Sequence, residues 1–439
     1  LLNWNMGMVY RLIERDERIY PQGELARRTI GLTGDKGNYG IEEAYREELA
    51  GRDGKALRQR IARGFYGRVA GGDHEDPVDG FDIVTTLDLD LQDVADKALR
   101  RQLEAQNALW GTTIVMEVHT GEILAMVNLG RNADGSFAER ENYALGRSME
   151  PGSTFKIVTA TTAFEQGVLR VEDQFYCPGY HIVEDRRIRC HKVAGHGAET
   201  FREGIMNSCN PVFMQVGERI GVDGFYDGLR KLGLFEQTGV DLPGEANSIF
   251  HKQEKVGPVE LATMSFGQSF QITPLQLMRA ASAVVNGGNL VTPHFGVYTT
   301  DENNNVTEVL KYETKTGAVS TATSETMKGL LEAVVAEGTG HRAYIAGYSI
   351  GGKTATSEKL PRSENRYISS FLGFSPADNP QVMTLILIDE PQGIYYGGTI
   401  AAPVVGEIYD NILPYLGIYK DENAEEETTQ TISIDDAVF

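Results

Sequence analysis

Only three cysteines occur among 439 residues, too few and too odd a number for a disulfide scaffold. They leave three arrangements: free buried thiols, one bridge with a spare thiol, or a metal site. Positive charge is also scarce, with 41 Lys and Arg against 62 Asp and Glu and a formal charge of −21. That balance argues against nucleic acid as a partner, because counterion release needs a basic surface. The chain has no apolar run of about 18 residues, so no segment reads as a membrane span. Its start, Leu1-Leu2-Asn3-Trp4-Asn5, lacks the charged region and cleavage site of a secretory signal and reads as trimmed. No internal repeat is present. With 41% hydrophobic residues, the chain still has the apolar surface for one large domain and a smaller one.

Residues 1–78 are rich in Arg, Glu and Gly, with an Arg/Glu helical pattern over residues 9–18 and a short helix signal over 41–49. Gly51-Arg52-Asp53-Gly54 reads as a turn and Gly71-Gly72-Asp73-His74-Glu75-Asp76-Pro77 as a linker. This part is expected to be a pedestal or interaction module ending near Asp79. Beyond it, a strand is expected over residues 82–86 and a helix over 89–109, where Leu91, Val94, Ala98 and Leu99 recur at helical spacing. Strands 112–117 and 122–128, joined by residues 118–121, read as a hairpin.

Residues 174–197 read as a polar, loop-rich insertion, and residues 201–287 as largely helical, broken at Pro243-Gly244 and Thr273-Pro274. A helix over 324–335 precedes three consecutive antiparallel strands, 353–358, 367–374 and 382–388, and an apolar helix over 400–413 can cover one sheet face. The tail from Tyr419, with Glu422 and Glu425 to Glu427 among Thr and Ser, is too acidic to pack and reads as disordered. The expected division is 1–78, 79–418 and 419–439. The expected fold class is α+β/α/β: an antiparallel sheet flanked by helices plus an all-helical lobe, preceded by the partial N-terminal module.

The chemistry gathers around Pro151-Gly152-Ser153-Thr154-Phe155-Lys156. Pro and Ser suit a first helical turn, where backbone N–H groups lack intrahelical partners, so Ser153 is expected at a helix N-terminus with Lys156 on the same face. That pairs a nucleophile with a base. A lysine can take the serine proton only when neutral, so its pKa of ~10.4 must fall by about 3 units, which disfavours the ammonium by about 4 kcal/mol. Burial or a second cation can do this. Alone, such a spacing is as readily a capping serine beside a solvated lysine.

Two further motifs complete a set. Ser208-Cys209-Asn210 offers a hydroxyl that can relay a proton to a leaving amine and an amide that can hold a substrate backbone. Ser363-Glu364-Asn365 matches the same pattern, so the motif is weak by itself. Lys353-Thr354-Ala355-Thr356 opens an apolar strand after Gly351-Gly352, supplying a second cation, hydroxyls for a carboxylate and a strand edge for a peptide. A literal Lys315-Thr316-Gly317 has no apolar strand around it and reads as a surface turn.

This order of motifs resembles the penicillin-recognising serine transferases, which include penicillin-binding proteins and class A β-lactamases. Residues 150–156, Gly195-His196-Gly197, residues 207–211, Ser265-Phe266-Gly267-Gln268, Thr273-Pro274-Leu275-Gln276, Asn286-Gly287-Gly288 and Glu337-Gly338-Thr339-Gly340 resemble the class B penicillin-binding proteins in particular. Tyr20-Pro21-Gln22-Gly23-Glu24-Leu25-Ala26 and Gly40-Ile41-Glu42-Glu43-Ala44-Tyr45 resemble that family's N-terminal dimerisation or pedestal region.

The resemblance implies a peptidoglycan D,D-transpeptidase that cross-links stem peptides through an acyl-serine intermediate, in division or sporulation, and is inhibited covalently by β-lactams. No cofactor is required for that chemistry. Ser153 would attack the penultimate D-alanine carbonyl of a stem ending in D-Ala-D-Ala, and Lys156 would take its proton. Ser208 and Asn210 would handle the leaving D-alanine and hold the stem, and Lys353 and Thr354 would bind the terminal carboxylate. The backbone N–H groups of Ser153 and Thr356 would form the oxyanion hole. Ala355 stands where the family usually has glycine, which is expected to set a methyl group close to the substrate or β-lactam.

By the same resemblance the partners are stem peptides, β-lactams, a membrane glycan polymerase and division proteins. The site of action is the outer face of the cytoplasmic membrane, reached through an N-terminal anchor absent from this chain. The alternatives are a D,D-carboxypeptidase or β-lactamase, which pass the acyl group to water, and a non-catalytic β-lactam receptor. Length and the N-terminal module favour the transpeptidase.

Cys177 and Cys190 flank a short segment, His191 and His196 follow, and Cys209 is the middle residue of the second motif. Three thiolates and an imidazole are a common closed zinc set, although the spacing is not that of a zinc finger. A structural zinc on Cys177, Cys190 and Cys209 is one expectation, with His196 favoured as fourth ligand over Asp185 or His191; some class B proteins of similar pattern carry such a metal. A Cys177–Cys190 disulfide with a spare thiol, or three thiols packed as small hydrophobes, are the others.

Overall fold

Apolar runs too short for helices pair into one six-stranded antiparallel sheet. In the computed structural model, which describes residues 19–34, 37–56, 58–62, 65–68 and 74–421, β1 (Trp110–Glu117) and β2 (Ile123–Arg131) form the expected hairpin and β3 (Phe137–Ala138) adds one edge. The helical pattern over residues 9–18 and the tail beyond residue 421 lie outside the described residues. From the far end of the chain come β4 (Gly351–Glu358), β5 (Tyr367–Ser375) and β6 (Val382–Asp389) as consecutive antiparallel strands. β6 pairs with β1, so the order is β4-β5-β6-β1-β2-β3 and β4 is an outer strand with one unpaired edge.

The helices that build the site and cover the sheet are α1 (Leu89–Ala105), α2 (Lys156–Glu165), α3 (Asn210–Lys231), α4 (Thr321–Ala336) and α5 (Ala402–Tyr415). Asp88 caps α1 through the N–H groups of Asp90 and Leu91. The helix stops short of the expected residue 109 because Asn107 takes a left-handed φ of 46°. α1 and α5 bury Leu91, Leu99, Val405 and Ile408 against Val127, Phe371 and Ile386 on one sheet face. The other face, with Met116, Phe374 and Leu385, shares a core with α2, α3 and α4, in which α4 packs on β4 and α3 packs on α2. Both faces are dry, which is why these strands read as nearly continuous apolar runs; each such side chain adds about 1.5–3 kcal/mol when fully buried.

The strand Asp82–Thr85 pairs with Gly296–Thr300, outside the main sheet. The insertion expected as loop is two small ribbons, Gln174–Cys177 with Gly197–Thr200 and Tyr180–Val183 with Arg186–Arg189. Strands of only four residues carry too little alternation to be read from sequence. Before residue 79, Ile41 and Tyr45 are buried, and the Tyr45 hydroxyl reaches Asp241 and Tyr312. Among the described residues no helix is long and apolar enough to cross a membrane.

Candidate active site

Ser153 lies in a short 3-10 turn, Gly152–Phe155, and α2 begins only at Lys156. The turn depends on two glycines. Gly152 has a φ of +58°, its N–H donates to Gly267 O at 2.9 Å, and a Cβ on Gly267 would come within 2.0 Å of Gly152 O. Upstream, Glu150 accepts from Ser269 N–H at 2.8 Å and pairs with Arg362 at 3.1 Å. That carboxylate ties the Ser153 turn to the loop after Gly267 and to the connection between β4 and β5.

Among the described residues Lys156 finds its partners on the second motif, not on Ser153. Its Nζ donates to Ser208 O at 2.6 Å, to Asn210 Oδ1 at 2.7 Å and to Ser208 Oγ at 3.3 Å. Ser208 holds a left-handed φ of +53°, a strained backbone for a side chain with a Cβ. Its neighbour Cys209 is fully buried and donates its N–H to Gly204 O at 2.8 Å, fixing the bend ahead of α3. Lys353 comes to the same hydroxyl from β4, donating to Ser208 Oγ at 2.8 Å and to Thr354 O at 3.1 Å.

Two buried lysines therefore meet on one serine oxygen. Burial lowers Lys156 to about 8, while Cys190, Cys209 and Glu199 pull the other way. Burial also takes Lys353 well below its ordinary value, and repulsion from Lys156 adds to the fall. The sequence argument allowed either burial or a second cation to depress Lys156; burial is the larger cause, because neither ammonium reaches water. The two groups titrate as a pair, with neither proton belonging to one residue alone.

Alternation along β4 turns Lys353, Ala355 and Ser357 towards the Ser153 turn, and Thr354 and Thr356 to the other side. A Cβ built on Gly152 would sit 3.5 Å from the Ala355 methyl and 2.1 Å from Ser357 Oγ. The Ala355 methyl is thus buried against the Ser153 turn. Thr354 Oγ1 donates to Thr339 Oγ1 at 3.0 Å, and Thr356 Oγ1 accepts from Gly397 N–H at 3.0 Å. The look-alike motifs stay outside. Lys315 is on an exposed two-residue strand, Thr314–Lys315, and its Nζ donates to Glu236 at 2.8 Å; Ser363 lies in the surface turn Arg362–Glu364.

Behind Ser208, ligand atoms of Cys177, Cys190, Cys209 and His196 lie within 4.8 Å of one another, and the three cysteines form no disulfide. Cys190 is drawn well below the ordinary thiol range, first by its hydrogen bond with Cys209, whose own thiol the same contact pushes up. His191 Nδ1 and His196 Nδ1 are each 3.8 Å from Cys190 Sγ, but only His196 belongs to the four-residue cluster. Asp185 sits at the ribbon's tip with its side chain 89% exposed, away from the thiols.

Two residues escaped the sequence reasoning. Glu199 is 3% exposed; its Oε2 accepts from Asn207 Nδ2 at 3.1 Å, and its Oε1 lies 3.8 Å from His196 Nδ1 with no hydrogen-bond partner. The only signal was its place three residues after His196. Thr339 was noted as part of a resembling stretch, without a role.

Residues 111–410 match the family model described as the penicillin binding protein transpeptidase domain. Stage V sporulation protein D of Bacillus subtilis is 37% identical over 442 residues, covering 96% of this chain and 68% of that protein. A probable peptidoglycan D,D-transpeptidase, PenA of Neisseria meningitidis, is 30% identical over 431 residues, 94% of this chain and 71% of that one. Penicillin binding protein 3 from Mycobacterium tuberculosis, solved in complex with aztreonam, superposes with a TM-score of 0.78 at 26% identity, over 93% of this chain and 92% of that chain.

Proposed function

Because the chain belongs to the penicillin-binding protein transpeptidase family, we propose that it is a peptidoglycan D,D-transpeptidase cross-linking stem peptides during division or sporulation, with Ser153 as nucleophile. The observation that carries this reading is the convergence of buried Lys156 and Lys353 on Ser208 beside the half-buried Ser153 turn. Ser153 Oγ forms a bond to the penultimate D-alanine carbonyl carbon as Lys156 takes its proton. The backbone N–H groups of Ser153 and Thr356 receive the oxyanion; losing one such donor costs about 3–4 kcal/mol. When the C–N bond breaks, the leaving D-alanine nitrogen takes a proton through Ser208. The amine of a second stem then attacks the ester, forms the new amide and frees Ser153. Asn210 holds the stem backbone, Lys353 and the hydroxyl pair at Thr354 meet the terminal carboxylate, and the outer edge of β4 aligns the peptide by main-chain hydrogen bonds.

The division of the chain at Asp79 into N-terminal module and transpeptidase domain, with an acidic tail from residue 419, is part of this reading. So is action outside the cytoplasmic membrane, where peptidoglycan is. A chromogenic cephalosporin tests the reaction class. A single burst of about one equivalent is expected; steady hydrolysis would make the chain a β-lactamase, and no burst at all would remove the acyl-serine reading.

We also read the thiol–imidazole cluster as a structural zinc site on Cys177, Cys190, Cys209 and His196. The donor set suits zinc, and the buried Glu199 carboxylate, whose Oε1 lies 3.8 Å from His196 Nδ1, is the kind of group a nearby cation satisfies. Bound there, zinc would supply no catalytic chemistry, only a cross-link that fixes the backbone aiming Ser208 and Asn210. Such sites are worth on the order of 10 kcal/mol in small domains, and less in a large preformed core. Chelation is expected to lower the melting temperature by roughly 3 °C, as for a loss of about 2 kcal/mol in a domain of this size, and to slow acylation without unfolding the chain. Cys209→Ser should reproduce both effects. Substoichiometric zinc together with a Cys177–Cys190 bridge by mass spectrometry would refute the site.

A further inference from the structure

Thr339 lies between α4 and the 3-10 turn His341–Ala343, remote in sequence from both motifs it touches. Its N–H donates to Met206 O at 3.1 Å, just ahead of the Ser208 motif. A Cβ on Gly398 would come within 2.5 Å of its carbonyl oxygen. Its main chain is therefore pinned between Met206 and the helical turn Gly397–Ile400, while its side chain is exposed. Thr354, by contrast, is only 6% exposed.

A hydroxyl has one proton to give and can accept as well. Thr354 has given its proton to Thr339 Oγ1 at 3.0 Å. Among the described residues the Thr339 proton has no acceptor, and the bond it receives polarises its own O–H. The hydroxyl of the strand motif thus reaches solvent through Thr339.

We propose that Thr339 donates its hydroxyl proton to the terminal carboxylate of the donor peptide and to the carboxylate of a β-lactam, with Thr354 behind it as a positioning residue. This rests on the transpeptidase reading and adds a specificity-determining contact to it. The ligand chemistry is an anionic carboxylate beside the scissile amide or lactam; an esterified ligand lacks the charge that makes the hydrogen bond strong.

The test uses the full chain, benzylpenicillin and benzylpenicillin methyl ester, with acylation measured over a concentration range so that apparent affinity and limiting rate separate. Thr339→Val keeps the shape and removes the hydroxyl. It is expected to weaken the apparent affinity for benzylpenicillin about tenfold, to leave the limiting rate within about twofold, and to leave the methyl ester unaffected. Thr339→Ser should restore the acid, and the Thr339→Val effect should shrink in a Thr354→Val background. Equal losses for acid and ester, or a loss confined to the limiting rate, would overturn the proposal in favour of a purely structural threonine. If the wild-type chain takes up neither compound at Ser153, the transpeptidase reading itself falls, and that outcome is distinct from an acid–ester pattern gone wrong.

Discussion

Ser153→Ala is expected to abolish covalent uptake of penicillin, with intact mass showing one adduct per wild-type chain and none on the variant. The expected loss is about a millionfold, the scale on which removing a nucleophile alone disables a serine acyl enzyme. The competing candidate is Ser208, whose hydroxyl is the one both lysines contact. Its surroundings argue against it. Ser208 is 7% exposed, receives two ammonium donors, and sits in a left-handed backbone conformation. Ser153 is more exposed, and its turn sits against the outer strand where a peptide can lie. Ser208→Ala should therefore still label, slowly. Labelling of Ser153→Ala at the wild-type level, or transfer of the adduct site to Ser208 in peptide mapping, would sink the assignment.

How much of this was legible depended on whether burial repeats along the chain. β1, β2, β4, β5 and β6 were readable because a sheet covered on both faces writes an unbroken apolar run. The ribbons between residues 174 and 200 were not, since four-residue strands are too short for burial to repeat along them. Ser153, the two lysines and the second motif were picked out as candidates from chemical type and order. Their geometry was less legible: Lys156 shares a face with Ser153, but the hydrogen bonds of its ammonium go to Ser208 and Asn210, which sequence spacing does not place. Strand alternation puts the Ala355 methyl under Gly152, a contact no local pattern announces. Glu199 and Thr339 could not be assigned from sequence, because each acts through one contact with a residue distant in the chain or hidden in the fold, His196 for the one and Thr354 for the other.

Lys353→Ala is expected to slow penicillin acylation by orders of magnitude at neutral pH, whereas Lys315→Ala should leave it within about twofold, as for a surface change. Lys315 is exposed and its ion pair with Glu236 is of the kind worth little. Lys353 is fully buried, on the hydroxyl that Lys156 also holds. Its loss should also change the pH dependence, and the sign follows from the pair. Two ammonium groups cannot both persist in one dry site, so near neutrality the pair keeps one proton; the Lys156 charge lowers Lys353, and Lys156 acts as base in the fraction that has passed the proton to Lys353. Without Lys353, Lys156 keeps the remaining proton until pH passes its value of about 8. Acylation by the variant should then climb steeply as pH rises through that value. The deficit against wild type should be largest near pH 7 and narrow towards pH 9. A deficit that stays constant with pH would confine Lys353 to binding the carboxylate and end the shared-proton account; a larger loss in Lys315→Ala than in Lys353→Ala would mean that the functional lysine–threonine pair lies on the other strand.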